Sequence, residues 1–374
     1  MRGLNPFAQG EDQLALSESL RRLLQETNAF ERRRARLSAA QPDRMALWPR
    51  LADQGVIAVL LDEAHGGFAG DPRTLAVIMS ELGAALAVEP LLSAAVMPSR
   101  IWRHAADAEA AQAQVDSTIA GELVCVLAHP MAGEPFAEPP LRLRRADGAL
   151  RLDGHVPGVA HADTAQSFLL PALDESGDVR FLQLPRSQPG LTVQVYRSID
   201  AAGAGDLRAT QAPVESAALL RLTAPGRAVL DDSLQWGILG LAAETAGIAQ
   251  TLNVITFEYL MTRKQFGSVI GSFQALRHRA ADMWIALQEL IAIMQLAIHE
   301  MASEAGESRR KILCAAKYMA DRTARRVGNE AVQMHGGMGV SDELIVSHYF
   351  RRLAALRRSL GDEDAHKRLF GEST

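Results

Sequence analysis

Two short segments in the second half of the chain carry the side chains best suited to holding an anionic ligand. The first is Arg263-Lys264-Gln265-Phe266-Gly267 with Phe273-Gln274. The second is Gln333-Met334-His335-Gly336-Gly337-Met338-Gly339. Arg263 offers a planar fork that matches phosphate geometry and stays charged at any working pH. Gln265, Gln274 and Gln333 add amides, and Gly336 and Gly337, without Cβ, let a nucleotide lie against the main chain. Taken singly, Arg263 reads as a solvated helix residue and Gly336-Gly337 as a turn between helices. Together and in order, they read as a binding site.

Those motifs need elements to position them. Residues 11–120 read as helical: Leu14, Leu16, Leu20, Leu23 and Leu24 make one apolar stripe, with polar residues between them. A break is expected at Ala64-His65-Gly66-Gly67-Phe68. Asp71-Pro72 then starts a helix, and Leu75 to Leu91 is apolar nearly all round, as a buried helix would be. From about 121 to 225 the pattern changes to short runs (Leu123–Leu127, Leu150–Leu152, Ser167–Leu170, Arg180–Leu184, Leu191–Tyr196). Gly, Pro and Asp separate them, as in Ala146-Asp147-Gly148 and Ser176-Gly177-Asp178, which is strand punctuation. Helical character returns in four long segments near 233–263, 272–304, 307–334 and 342–370. The last four should bury stripes such as Leu239, Leu241, Ile248 and Leu252. The expected fold class is α+β, with a helical domain over 1–120, a small β domain over 121–228 and a four-helix bundle over 229–374.

Composition narrows the function. Of 374 residues, 48% are hydrophobic and 22% charged, the balance of a folded globular protein. A net charge of −5 with a sequence pI near 6.1 provides no basic field for nucleic acid. Cys125 and Cys314 stand far apart and read as reduced core thiols. No Cys, His and acid cluster has metal-ligand spacing, so no metal site is expected, and His129, His155 and His161 read as loop residues. No run approaches the roughly 20 apolar residues that span a bilayer. The early residues are polar and acidic, unlike a signal peptide. The expectation is a cytoplasmic protein with neither membrane nor nucleic-acid partner.

The full pattern, from Thr262–Gly267 and Ile270–Leu276 through Ala281-Asp282-Met283 to Gln333–Gly339 and His348–Arg351, resembles the acyl-CoA dehydrogenase family of flavoenzymes. Within it, the chain is most similar to small subunits of heteromeric bacterial enzymes such as those acting on pimeloyl-CoA. The resemblance implies FAD as cofactor and α,β-dehydrogenation of an acyl-CoA thioester. A carboxylate removes the α proton while the β hydrogen passes to the flavin, and an electron-transfer flavoprotein is the implied acceptor. It also implies roles: Arg263 on the FAD pyrophosphate across a subunit boundary, Gln265, Phe273 and Gln274 along the same cofactor, and Gln333, Gly336 and Gly337 at the adenosine end from the neighbouring subunit. A site built across a two-fold interface implies at least a dimer, with a tetramer expected.

The chain departs from that family at the base. Counting from Gly337 without gaps, Arg351 falls on the family's Arg and Leu360 on its usual catalytic Glu. The alternative base position of some relatives, near Gly237, also lacks a carboxylate. Asp362, Glu363 and Asp364 follow the basic run Arg351, Arg352, Arg357 and Arg358. That arrangement reads as a solvated face, with Asp362 as the candidate for a displaced catalytic base. The middle domain departs too. Where relatives carry Thr-Glu-Pro and a flavin-packing Trp-Ile-Thr, this chain has His129–Pro135 and His155–His161, with no Trp between Trp102 and Trp236. Three readings follow: a subunit whose homologous partner supplies the carboxylate, a homotetramer with a non-standard base, or a scaffold subunit that has lost flavin. The retained Arg263 and Gln333–Gly337 disfavour the last, the missing Glu disfavours the second, and the first is preferred.

Overall fold

A computed structural model describes residues 4–61, 63, 66–68, 70–303 and 306–372. Two compact units emerge. One comprises the residues up to Ser38, Pro72–Ala87 and the chain from Ile238 onward; the other comprises Ala39–Asp71 and Val88–Gly237. The units interleave along the sequence, whereas composition divides the chain into three consecutive blocks.

The second unit is built on an eight-stranded sheet. Its strands are β1 Cys125–Leu127, β2 Leu141–Ala146, β3 Ala149–Ala160, β4 Ser167–Leu173, β5 Val179–Pro185, β6 Leu191–Arg197, β7 Gly203–Val214 and β8 Leu219–Leu220. They run in the order β6-β7-β3-β2-β4-β5-β8, with β1 parallel to β4. Every residue of β4 is buried, so its run Ser167-Phe-Leu-Leu-Pro-Ala-Leu173 is apolar without alternation. The β2–β3 hairpin closes on Asp147 (φ 51°) and Gly148 (φ 77°), the two positive-φ positions of a two-residue turn. Sequence punctuation locates β1, β3, β4, β5 and β6 but misses the two-residue β8 and, among the longer strands, β2 and β7. β2 alternates Leu with arginines, and β7 opens Gly-Ala-Gly, so neither looks like a strand by propensity. Helices α3 (Trp48–Asp53), α5 (Met97–Trp102) and α6 (Ala108–Ile119) belong to the same unit.

The first unit is helical: α1 Gly10–Thr27, α2 Phe30–Ser38, α4 Pro72–Ala84, most of α7 Gly226–Thr262, then α8 Gln274–Met301, α9 Glu307–His335, α10 Ile345–Leu356 and α11 Glu363–Glu372. Leu239, Leu241, Ile248 and Leu252 on α7 are all buried, as the stripe requires. α7 and α4 approach backbone to backbone. A Cβ on Gly247 would sit 2.0 Å from the Ser80 carbonyl, and one on Gly83 would sit 2.5 Å from that of Glu244.

Four expectations are corrected. α7 starts at Gly226, just after Pro225, rather than near 233. The helix expected over Leu75–Leu91 ends at Ala84, because Pro90 cannot continue it and Leu86 turns at φ 54°. The segment 342–370 is two helices, broken where Leu360 (φ 52°) and Gly361 (φ 90°) leave helical conformation. Finally, α7 and α8 do carry stretches long and apolar enough to cross a bilayer by length and composition. In α7, 78% of that stretch is buried within the protein, as befits a core helix. Ala64 and His65 of the expected break lie outside the described residues.

Candidate functional site

The first motif hangs from the end of α7. Arg263 donates its N–H to the Tyr259 carbonyl (2.9 Å), and its own carbonyl accepts from Ile270 N–H (2.8 Å), closing a small hairpin of β9 (Lys264–Gln265) and β10 (Ser268–Val269). The turn residues Phe266 (φ 54°) and Gly267 (φ 79°) both sit at positive φ, again a two-residue hairpin turn. Phe266 is 92% exposed and meets the Phe273 ring edge-on at 6.3 Å. Arg263, Gln265 and Gln274 are exposed, and Arg263 makes no ion pair among the described residues.

The second motif ends α9. His335 stacks on Tyr259 with ring centroids 4.3 Å apart and planes at 26°. Its Nδ1 lies 2.8 Å from the Ala331 carbonyl, which makes it the protonated nitrogen. This stack joins the ends of α7 and α9, so two motifs some seventy residues apart in sequence lie on neighbouring helix ends of one unit. Gly336 turns at φ 63°, and a Cβ at Gly336 or Gly337 would meet nothing within 4 Å. Gln333, Gly336 and Gly337 are all exposed, beside Met338 and Val340. The first motif, a cation with no ion pair among the described residues beside exposed amides and two phenyl rings, suits a dinucleotide pyrophosphate, and the open glycine turn of the second suits an adenosine end. These residues fit that end of FAD.

The sheet-domain segments offer something else. Gly158 N–H donates to Asp206 Oδ1 (2.9 Å), which also accepts from the Tyr196 hydroxyl (3.2 Å); His155 Nε2 stands 3.7 Å from Asp206 Oδ2. The Gly158 N–H, aided by Tyr196 and His155, holds the Asp206 carboxyl below its ordinary range. Met131 N–H donates to the Gly158 carbonyl (3.1 Å), tying the His129 loop to this segment. His129 sets its two ring nitrogens against the Pro130 and Pro135 carbonyls, and burial pushes its pKa down to about 4. His155 is thus a strand residue of β3, while His129 and His161 lie outside strands as expected. No indole lies in these segments, and a carboxylate takes up the Gly158 amide, so they do not fit a flavin ring of the family's kind.

The position expected to carry the base is buried and apolar. Leu360 is 8% exposed, and its carbonyl accepts from His366 Nε2 (2.7 Å). The Gly361 carbonyl accepts from Lys317 Nζ (3.1 Å), itself paired with Asp321 at 2.7 Å. Asp362 Oδ1 accepts the Ala365 N–H (3.0 Å) and caps α11; that bond holds its carboxyl below the ordinary range, which makes it a weaker base. The neighbouring arginines are partly spoken for, Arg351 by Asp342 and Arg352 by Glu244. Sequence reasoning overlooked that last pair. Glu244 is buried and takes two bonds from Arg352, of 2.6 and 2.9 Å. The available signal was a lone acid within the apolar run Ile238–Leu252. Both cysteines are buried free thiols, pushed up to about 12 (Cys125) and about 11 (Cys314) by burial, and hence inert.

Comparisons with known proteins agree with this architecture. Models of the acyl-CoA dehydrogenase N-terminal and C-terminal domains match residues 10–122 and 225–374. The chain is 27% identical to acyl-CoA dehydrogenase FadE27 of Mycobacterium tuberculosis over 87% of each chain. It is also 27% identical to acyl-CoA dehydrogenase IpdE2 of Mycolicibacterium smegmatis, over 94% of this chain and 95% of that one. Among solved structures, the ChsE4-ChsE5 complex of M. tuberculosis superposes with a TM-score of 0.88 at 25% identity, covering 98% of both chains. With matched domains at both ends and relatives aligned over nearly its whole length, the chain belongs to the acyl-CoA dehydrogenase family of FAD-dependent oxidoreductases.

Proposed function

We propose that this chain is one subunit of a heteromeric acyl-CoA dehydrogenase, and that it contributes one side of an FAD site while a homologous partner contributes the carboxylate that takes the α proton. The observation that carries this reading is an asymmetry within the chain. The exposed Arg263 and the open Gly336-Gly337 turn are kept, whereas the base position is a buried Leu360 and the sheet-domain segments hold Asp206 and Gly158 in place of an indole. The similar ChsE4-ChsE5 complex gives the reading a precedent in that protein.

In this role Arg263 neutralises the pyrophosphate, and Gln265, Gln274 and Gln333 orient the cofactor through their amides. Phe273 covers its side, and Gly336 and Gly337 admit the adenosine end. FAD, when bound, supplies the two-electron acceptor. Desolvation around a partner carboxylate would raise its basicity to the level that α-proton removal needs. The substrate is an acyl-CoA, the final acceptor an electron-transfer flavoprotein and the compartment the cytoplasm. Asp362 as a displaced base of a homo-oligomer is the rival assignment; its capping bond to Ala365 argues against it.

Expression of the chain with and without its homologous partner tests the proposal. A flavin absorbance band and acyl-CoA turnover should accompany the co-purified complex, with little or no turnover from this chain alone. Robust turnover by the isolated chain would overturn the reading.

A further inference from the structure

The helical unit leaves one apolar face open. In α8 only 39% of the apolar stretch is buried, against 78% in α7. Its exposed residues include Ile285 (52%), Glu289, Ala292 and Leu296 (42%). Steps of four, three and four residues set these side chains on one line along the helix, about 16 Å from first to last. Glu289, Ala292 and Leu296 also wall a hollow of about 760 Å³, closed on its other sides by residues of α9 such as Tyr318 and by Lys367 and Phe370 of α11. None of the residues discussed above as FAD contacts lines it.

The line has a large apolar side chain at each end, with a charge and a methyl group between them. It therefore presents a similar profile in both directions, as a contact between two identical surfaces about a two-fold axis requires. With the axis between Glu289 and Ala292, an antiparallel second α8 sets Ile285 of each copy against Leu296 of the other. Each Glu289 then lies over the other's Ala292, whose short side chain lets the helices close. Lys367, on the same hollow, gives each copy a cation to offer the other's Glu289. A bilayer would instead bury Glu289 in hydrocarbon without a partner. We propose that this face of α8, α9 and α11 is where two copies of this chain associate, α8 packed antiparallel against α8. The inference is independent of the subunit role proposed above.

Analytical ultracentrifugation of the full-length chain tests this. Ile285→Lys and Leu296→Glu each set a charge against an apolar side chain of the other copy. Each should weaken association at least about 10-fold and halve the mass of the assembled species. Both positions are exposed, so the unfolding midpoint should stay near wild type. Combined in one chain, the two substitutions face each other across the axis as cation and anion. Association should then recover at low salt and weaken again at high salt, where wild type holds. A wild-type chain that stays monomeric at tens of micromolar overturns the proposal. So do single variants that assemble like wild type, or a combined variant no better than either single one. Binding of wild type to anionic phospholipid vesicles with no self-association overturns it as well.

Discussion

The pair Lys317–Asp321 lies under the turn where the family resemblance places the base, and replacing Lys317 by Met is the sharpest test of how that turn is held. Lys317 Nζ is 2.7 Å from Asp321 Oδ1 and 3.1 Å from the Gly361 carbonyl, with the two side chains 1% and 3% exposed. Burial pushes the Asp321 carboxyl up to about 7 even with the ammonium beside it. Removing the cation leaves only the weaker attraction of Arg357 against desolvation, so its pKa rises further and it holds a proton at neutral pH. Breaking a buried pair on one side costs about 3–5 kcal/mol, part of it the two bonds Lys317 donates. The sign of the pH dependence follows from linkage. A carboxyl whose folded pKa exceeds its unfolded value of about 3.9 gives stability that is complete below that value and lost as pH rises to the folded pKa. Wild type finishes that loss near pH 7, whereas Lys317→Met continues to lose about 1.4 kcal/mol per pH unit beyond it. Urea unfolding at pH 5.5, 7 and 8, at one protein concentration, should therefore show a gap that is steady below pH 7 and widens above it. Adding Asp321→Asn to the variant should flatten the extra slope. A gap under about 1 kcal/mol at pH 8, or one independent of pH, would refute the reasoning.

Three further outcomes bear on the site itself. In the assembled complex, Arg263→Ala should weaken FAD retention about 10- to 100-fold, the worth of a charge-assisted hydrogen bond, as measured by flavin released on dilution; full occupancy would show that Arg263 is not a cofactor contact. Gly337→Phe should block the adenosine end and deplete bound flavin while leaving the unfolding midpoint near wild type, since the glycine faces open space; unchanged flavin content argues against that placement. Asp362→Asn keeps an oxygen to cap α11, so it should leave the turnover of the complex within about twofold, far from the 10²- to 10⁴-fold typically lost with a general base. Abolished turnover with flavin retained would make Asp362 the base.

Much of this protein is legible in its sequence, and the reasons are local. Turn chemistry marks the hairpin at Asp147-Gly148, because the chain needs two positive-φ residues there. Apolar spacing marks the buried face of α7 through Leu239, Ile248 and Leu252. The motifs proposed to hold the cofactor stand out because an Arg, amides and adjacent glycines in fixed order serve no common structural purpose together. β2 and β7 escape notice because partners on both sides stabilise strands whose own residues, arginines in one and Gly-Ala-Gly in the other, favour nothing in particular.

What required the folded chain was proximity and polarity. The sequence determines that Arg263 and Gly336 exist; only the stack of Tyr259 on His335 brings their helix ends together. It determines that residue 360 is a leucine. Only the structure shows the turn held at positive φ by His366 and Lys317, and Asp362 drawn off as a helix cap. The bonds to Leu360 and Gly361 end on backbone carbonyls, whose positions follow from chain path and not from residue type. The same holds for Glu244, whose charge is tolerable in an apolar helix because Arg352, more than a hundred residues away in sequence, meets it with two hydrogen bonds. Periodicity and turn chemistry are properties of neighbouring residues, so a sequence displays them; the pairing of buried charges depends on distances between helices, which tertiary packing alone sets.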